Sequence, residues 1–277
     1  MKWVKTAWRK RSDGTAIPPD AVVQEAVEEI IPDLDPDELA PANRERLNEF
    51  LYKLPRMLAV LGHMGPRGPE NGPPALVIPG FLANDRSTMD MRRALAWAGW
   101  RVHPWLLGIN RGAKAETLEQ ICSRIEAIYD GRPILLVGWS LGGMFAREVA
   151  HLCPDKIRAI VTLGSPFSGD VKTSTNITEF YEKWAGHKVD EPPFPRAETR
   201  PPQPCLAFWS RMDGIVAPAA ARGSEDEVDR SIEVATRHAG FALDRRALGQ
   251  VVRGITAFLT ELEGKPPELI PMAERAR

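Results

Sequence analysis

The chain has 277 residues, 43% of them hydrophobic and 26% charged, which excludes a largely disordered protein and leaves ample material for a buried core. Thirty-six Lys plus Arg against 37 Asp plus Glu give a net charge of -1, so no global field recruits nucleic acid or an anionic membrane. Cys122, Cys153 and Cys205, odd in number and widely spaced, fit neither a disulfide framework nor a zinc pattern and are expected to be reduced. No stretch approaches 18 apolar residues, and no apolar run of signal-peptide length follows the basic start, so a soluble cytoplasmic protein without an integral membrane segment is expected.

In chain order, Lys2, Lys5, Arg9, Lys10 and Arg11 are followed by an acidic block over residues 13 to 38. Within that block Val22, Val23, Ala26, Val27, Ile30 and Ile31 have helical spacing. A second helix is predicted over Pro41 to Gly62, with Leu47, Phe50, Leu51, Leu54, Leu58 and Leu61 on one stripe that packs on the main domain or faces a membrane or partner. Four prolines in Pro66 to Pro74 rule out a helix or an interior strand and mark a linker. Residues 1–74 are thus expected to be a helical extension and linker, and 75–277 the main domain.

That domain alternates short apolar runs with helical patterns. Strands are predicted at Ala75–Pro79, Arg101–Trp105, Pro133–Trp139, Ala159–Gly164, Cys205–Trp209 and Ser231–Ala235. Helices are predicted near Thr88–Gly99 and over Ala115–Tyr129, Leu141–Leu152 and Arg245–Glu263. The alternation is that of an α/β fold with a mostly parallel, twisted sheet covered on both faces. Residues 168–203 interrupt it with one helix, Asn176–Trp184, and a proline-rich stretch, as a small cap insertion would.

The sharpest local feature is Gly138-Trp139-Ser140-Leu141-Gly142-Gly143, between an apolar strand and a helix. Small residues at Gly138 and Gly142 let the backbone bend sharply enough to lift the Ser140 hydroxyl clear. A nucleophilic serine needs a base, and the base an orienting acid. Of the five histidines, His63, His103, His151 and His187 lie before the linker, within a strand, far along the serine's helix and in the cap. His238 alone follows a late strand. Asp213, just beyond Cys205–Trp209, is the candidate acid, with Asp170 and Asp190 as rivals in the cap. An oxyanion needs two donors, assigned to the N–H of Leu141 and, from the loop opened by Gly80, the N–H of Phe81.

The order Ser140, Asp213, His238 is the one expected of α/β-hydrolases. From about Ala75 to Leu262 the chain resembles that family's esterase/lipase group. Pro79-Gly80-Phe81 resembles the oxyanion loop, Gly138–Gly143 the nucleophile elbow, Gly164-Ser165-Pro166-Phe167 the segment after the next strand, and Ser210–Val216 the acid loop. The single-glycine oxyanion loop departs from the His-Gly-Gly-Gly pattern of the hormone-sensitive lipase branch. The resemblance implies hydrolysis of a small-molecule or lipid ester through an acyl-enzyme on Ser140, with no metal or cofactor. Thioester cleavage or acyl transfer by the same residues, and a non-catalytic binding role, are the alternatives. Phe81, Leu82, Trp139, Phe167, Phe180, Tyr181 and Trp184 are the expected wall of an apolar substrate pocket, with Met144 and Phe145 packed beneath the elbow.

Overall fold

A computed structural model describes residues 40–41, 45–46, 49, 67–197 and 199–264, all of one compact unit. Among them six strands form one sheet: β1 (Pro74–Ile78), β2 (Arg101–Pro104), β3 (Ile134–Trp139), β4 (Ile157–Leu163), β5 (Cys205–Trp209) and β6 (Arg230–Glu233). The spatial order is β2-β1-β3-β4-β5-β6, and every neighbouring pair is parallel. The sheet is therefore wholly parallel within the described residues.

Strands buried on both faces must be apolar at every position, and β1, β3 and β5 are fully buried along their length. Side chains alternate between two cores. Ala75, Val77, Leu135, Val137 and Trp139 join α1 (Met89–Trp97) and α7 (Arg245–Leu262) on one face. Leu76, Ile78, Ile134 and Leu136 join α2 (Thr117–Ile128) and α3 (Leu141–Leu152) on the other. Helix α7 buries Leu248, Val251, Ile255, Phe258 and Leu259, a stripe of helical period, and starts where the Asp244 carboxylate accepts from the N–H of Arg246 and Ala247.

The single helix between β4 and β5 is α4 (Thr178–Ala185), ended by Gly186 at φ 81°. It lies over the loop that follows β1: Tyr181 sits 5.0 Å from the Phe81 ring, and its hydroxyl accepts from the Ala113 N–H at 3.1 Å. Each predicted strand and helix of the main domain is found within two residues of its expected ends. Two helices, α5 (Pro218–Arg222) and α6 (Gly240–Leu243), have no counterpart in the sequence reading because five and four residues are too few to display a helical period.

Of the proline-rich stretch, Arg67 exchanges backbone hydrogen bonds with Val102 at 2.9 and 2.7 Å and so covers the outer edge of β2. Glu45, Arg46 and Glu49 are helical, while the rest of the Pro41–Gly62 prediction and the helix predicted around Val22–Ile31 lie outside the described residues. All three cysteines are free, and the Cys153 thiol donates to the Cys122 sulfur at 3.0 Å. None of the described helices is long and apolar enough to cross a membrane.

Candidate active site

The turn from β3 into α3 is assembled from residues that cannot be larger. A Cβ on Gly138 would fall 2.4 Å from the Gly142 carbonyl oxygen, one on Gly142 2.2 Å from the Ile78 oxygen, and one on Gly143 2.0 Å from Ser165 Oγ. Between these contacts Ser140 is held at φ 55°, ψ -124°, with its N–H donating to the Leu163 carbonyl at 2.9 Å. Such a backbone costs about 1–3 kcal/mol in an L residue and survives only where the surroundings impose it. Here they do, and Ser140 forms part of a cavity wall ahead of the α3 N-terminus.

Asp213 and His238 come from the loops after β5 and β6. They meet at 2.8 Å, Asp213 Oδ2 to His238 Nδ1, and both are buried. Asp213 Oδ1 accepts from the N–H of Ile215 and Val216 at 2.8 and 2.9 Å, so the carboxylate is fixed from two sides. Ser210 Oγ locks the two loops together by donating to the Thr236 carbonyl at 2.6 Å and accepting the Thr236 N–H at 3.2 Å. Trp139, next to the serine, donates through Nε1 to the His238 carbonyl at 3.1 Å, and its ring lies 5.7 Å from the imidazole. Asp170 and Asp190, the rival acids, belong elsewhere: Asp190 pairs with Lys172 at 2.7 Å on the cap surface, and Asp170 accepts from the Lys172 N–H.

The loop after β1 packs against the same turn. A Cβ on Gly80 would stand 3.1 Å from Ser140 Cβ and 3.2 Å from the Trp139 oxygen, so a side chain there would crowd the elbow. Among the described residues, neither the Phe81 nor the Leu141 N–H donates to a protein acceptor. Asn110, buried and not anticipated from the sequence, shapes this loop. Its Nδ2 donates to the Pro79 carbonyl at 2.8 Å, and its own carbonyl accepts the Leu82 N–H at 2.7 Å. Asp85 ties the same loop to the end of β2 by accepting from the Trp105 and Leu106 N–H at 2.9 and 3.1 Å, and burial pushes its carboxyl above the usual range.

A cavity of about 780 Å³, counting the part open to solvent, runs from Ser140 beneath the cap. Its lining is mostly apolar and includes Phe81, Met144, Tyr181, Val189, Phe194 and Ile215. Of the seven expected wall residues Phe81 and Tyr181 line this cavity, whereas the other five lie elsewhere. Trp139 falls on the α1/α7 face of β3 by strand alternation and packs in that core. Phe167 lies under the Arg147 guanidinium, 4.3 Å from its ring centre, on the far side of α3. Phe180 and Trp184 occupy the outer face of α4, 40% and 54% exposed. Leu82, at φ 54°, is turned toward solvent. Met144 and Phe145, expected only beneath the elbow, line the cavity, and the Glu148–Arg196 pair, at 3.8 Å, joins them there.

Residues 76–191 match a family model described as the alpha/beta hydrolase fold. No curated protein matches the sequence. Among solved structures the chain is similar to carboxylesterase CesB (YbfK) from Bacillus subtilis, at 15% identity and a TM-score of 0.51, over 79% of this chain and 99% of that one. A pyrethroid hydrolase, PytH, aligns at 19% identity and a TM-score of 0.49 over 68% of this chain and 97% of that one. Naproxen esterase (carboxylesterase NP) from Bacillus subtilis aligns at 12% identity and 0.49 over 77% and 99%. At such identities the likeness is one of fold.

Proposed function

The chain has the α/β-hydrolase fold, and from that premise we propose that it is a serine hydrolase that cleaves carboxylic esters through an acyl-enzyme on Ser140. The observation that carries the reading is the buried Asp213–His238 pair, bonded at 2.8 Å, in loops tied by Trp139 to the strained serine that faces an apolar cavity. Asp213 accepts a hydrogen bond from His238 Nδ1–H, which leaves the Nε2 lone pair free to act as base. Ser140 Oγ attacks the acyl carbon as Nε2 takes its proton, and Asp213 offsets the charge of the imidazolium. The oxyanion accepts from the N–H of Phe81 and Leu141. Collapse expels the alcohol, protonated by Nε2–H; water, deprotonated by Nε2, then attacks the acyl carbon and releases the acid and Ser140.

The cavity supports an apolar acyl group of medium length or an aryl acyl group, since its walls offer few polar partners for anything else. Three free thiols support a reducing, cytoplasmic setting. The test is a series of p-nitrophenyl esters from acetate to dodecanoate, with the full chain and with Ser140→Ala. Turnover should peak at an intermediate chain length and vanish in the variant; turnover undiminished by Ser140→Ala sinks the reading. Adding an alcohol or a CoA thioester to the same assay separates ester hydrolysis from acyl transfer and thioester cleavage by product.

A further inference from the structure

We propose that Glu49, contributed by the segment ahead of the sheet domain, is a positioning residue of this same site, its carboxylate setting the backbone that presents His238; the proposal rests on the serine-hydrolase reading. Glu49 is 2% exposed, a placement glutamate almost never takes without strong partners. The partners here are three backbone N–H groups. Glu49 Oε1 accepts from His238 at 2.9 Å and from Gly214 at 3.3 Å, and Oε2 accepts from Ala239 at 3.1 Å. One side chain therefore bridges the residue after Asp213 to His238 itself, through hydrogen bonds strengthened by the carboxylate charge.

The surroundings are shaped for this contact. A Cβ on Gly214 would lie 3.1 Å from Glu49 Cγ and 3.0 Å from Glu45 Cβ, so glycine allows the approach. A second tie runs beside it: Asn176 Nδ2 donates to the Pro41 carbonyl at 2.8 Å and to the Gly214 carbonyl at 2.9 Å. Glu49 directly, and Pro41 through Asn176, are thus both tied to the acid loop. Asp213 fixes the imidazole through its ring nitrogen, whereas Glu49 fixes the main chain from which that ring hangs. On the serine-hydrolase reading the two constraints together set where Nε2 stands relative to Ser140 Oγ, and displacements near 1 Å cost about a hundredfold in rate.

The test compares the full chain with Glu49→Gln, which keeps the shape and sets an NH2 group against at least one of the N–H donors. Three quantities are read: kcat and KM on p-nitrophenyl butyrate, the rate at which a fluorophosphonate labels Ser140, and the low-field proton signal of His238 Nδ1–H. A lowered Tm with all three at wild-type values overturns the proposal, since a purely structural role predicts that pattern. The proposal expects kcat and labelling to fall about tenfold to a hundredfold with KM little changed, and the His238 signal to move or broaden. If Glu49→Gln does not fold, Glu49→Asp, which retains the charge but withdraws it by one methylene, must show the same losses, and wild-type values there overturn it equally. Failure of the wild-type chain to label, with Glu49 intact, instead refutes the serine-hydrolase reading, and the His238 signal in the two chains then decides the positioning claim by itself.

Discussion

Asp213→Asn separates the two jobs of one carboxylate. Oδ1 accepts from the N–H of Ile215 and Val216, so the asparagine must keep its carbonyl oxygen there; a flipped amide would set its NH2 against two donors. The NH2 is then left facing His238 Nδ1, which in the wild type lies 2.8 Å from Oδ2. A donor opposite Nδ1 forces that nitrogen to accept, the ring proton moves to Nε2, and on the proposed mechanism Nε2 can no longer take the proton of Ser140. Loss of the working tautomer in a serine triad lowers kcat by about four orders of magnitude. At 1.36 kcal/mol per decade that is about 5.4 kcal/mol of transition-state stabilisation.

The cost to folding is far smaller, about 1 kcal/mol for one hydrogen bond that loses its charge. Asp213→Ala behaves differently because it also strips the acceptor from two buried N–H groups, at about 1–3 kcal/mol each. Steady-state kinetics on p-nitrophenyl butyrate and thermal unfolding, run on both variants, read the two effects separately. Both should be inactive, but only alanine should unfold several degrees earlier. An asparagine variant keeping more than about a tenth of wild-type kcat would refute the tautomer argument, and equal Tm values for the two variants would refute the role given to Oδ1.

Three further outcomes are expected. Asn110→Ala leaves the buried Pro79 carbonyl without its donor and frees the loop that carries Phe81, so kcat should fall at least about tenfold with KM little changed; unchanged kcat would detach Asn110 from the oxyanion loop. Phe194→Ala removes a ring lining the cavity, packed 6.4 Å from that of Phe145, and should move the chain-length optimum toward longer acyl groups, by about 1–3 kcal/mol of discrimination per added methylene; an unmoved optimum would place the acyl chain elsewhere. Burial, aided by Arg101 and Arg124, pushes the His103 ring down to about 4 from its ordinary 6.5, so the unfolded chain binds the extra proton between those values. Stability should therefore decline as pH falls from 6.5 toward 4, and His103→Gln should flatten that slope in a Tm-against-pH series.

What could be read from the sequence was whatever the backbone forces. The elbow is legible because Gly138 and Gly142 are dictated by contacts within the turn and with the adjoining strand, where a Cβ would come within 2.4 Å of main-chain atoms. The inner strands β1, β3 and β5 are legible because burial on both faces leaves them no polar position. The pocket wall was not, apart from Phe81 and Tyr181, because being aromatic and near the serine does not say which way a side chain points. Trp139 illustrates this. Strand alternation puts it in one set with Leu135 and Val137, but only the assembled sheet decides that this set faces α1 and α7 rather than the cavity. Phe180 and Tyr181 are chain neighbours on α4, yet one is 40% exposed and the other lines the cavity, a helical-face difference that eight residues are too few to orient in advance.

The polar ties that steady the site are of another kind. Asn110, Ser210 and Glu49 each sit in unremarkable sequence, and each acts on backbone groups far away in the chain, up to 190 residues for Glu49 and Ala239. Any backbone N–H can donate to a well-placed carboxylate, so such a contact demands nothing of the residue types at its distant end and leaves no pattern to recognise. The exception is Gly214, where a Cβ would crowd Glu45 and Glu49 at 3.0 and 3.1 Å. That glycine sits beside the candidate acid and is easily taken for an ordinary turn residue. Its second meaning, a place where another part of the chain must come within about 3 Å, becomes visible only once the segment carrying Glu49 is in position.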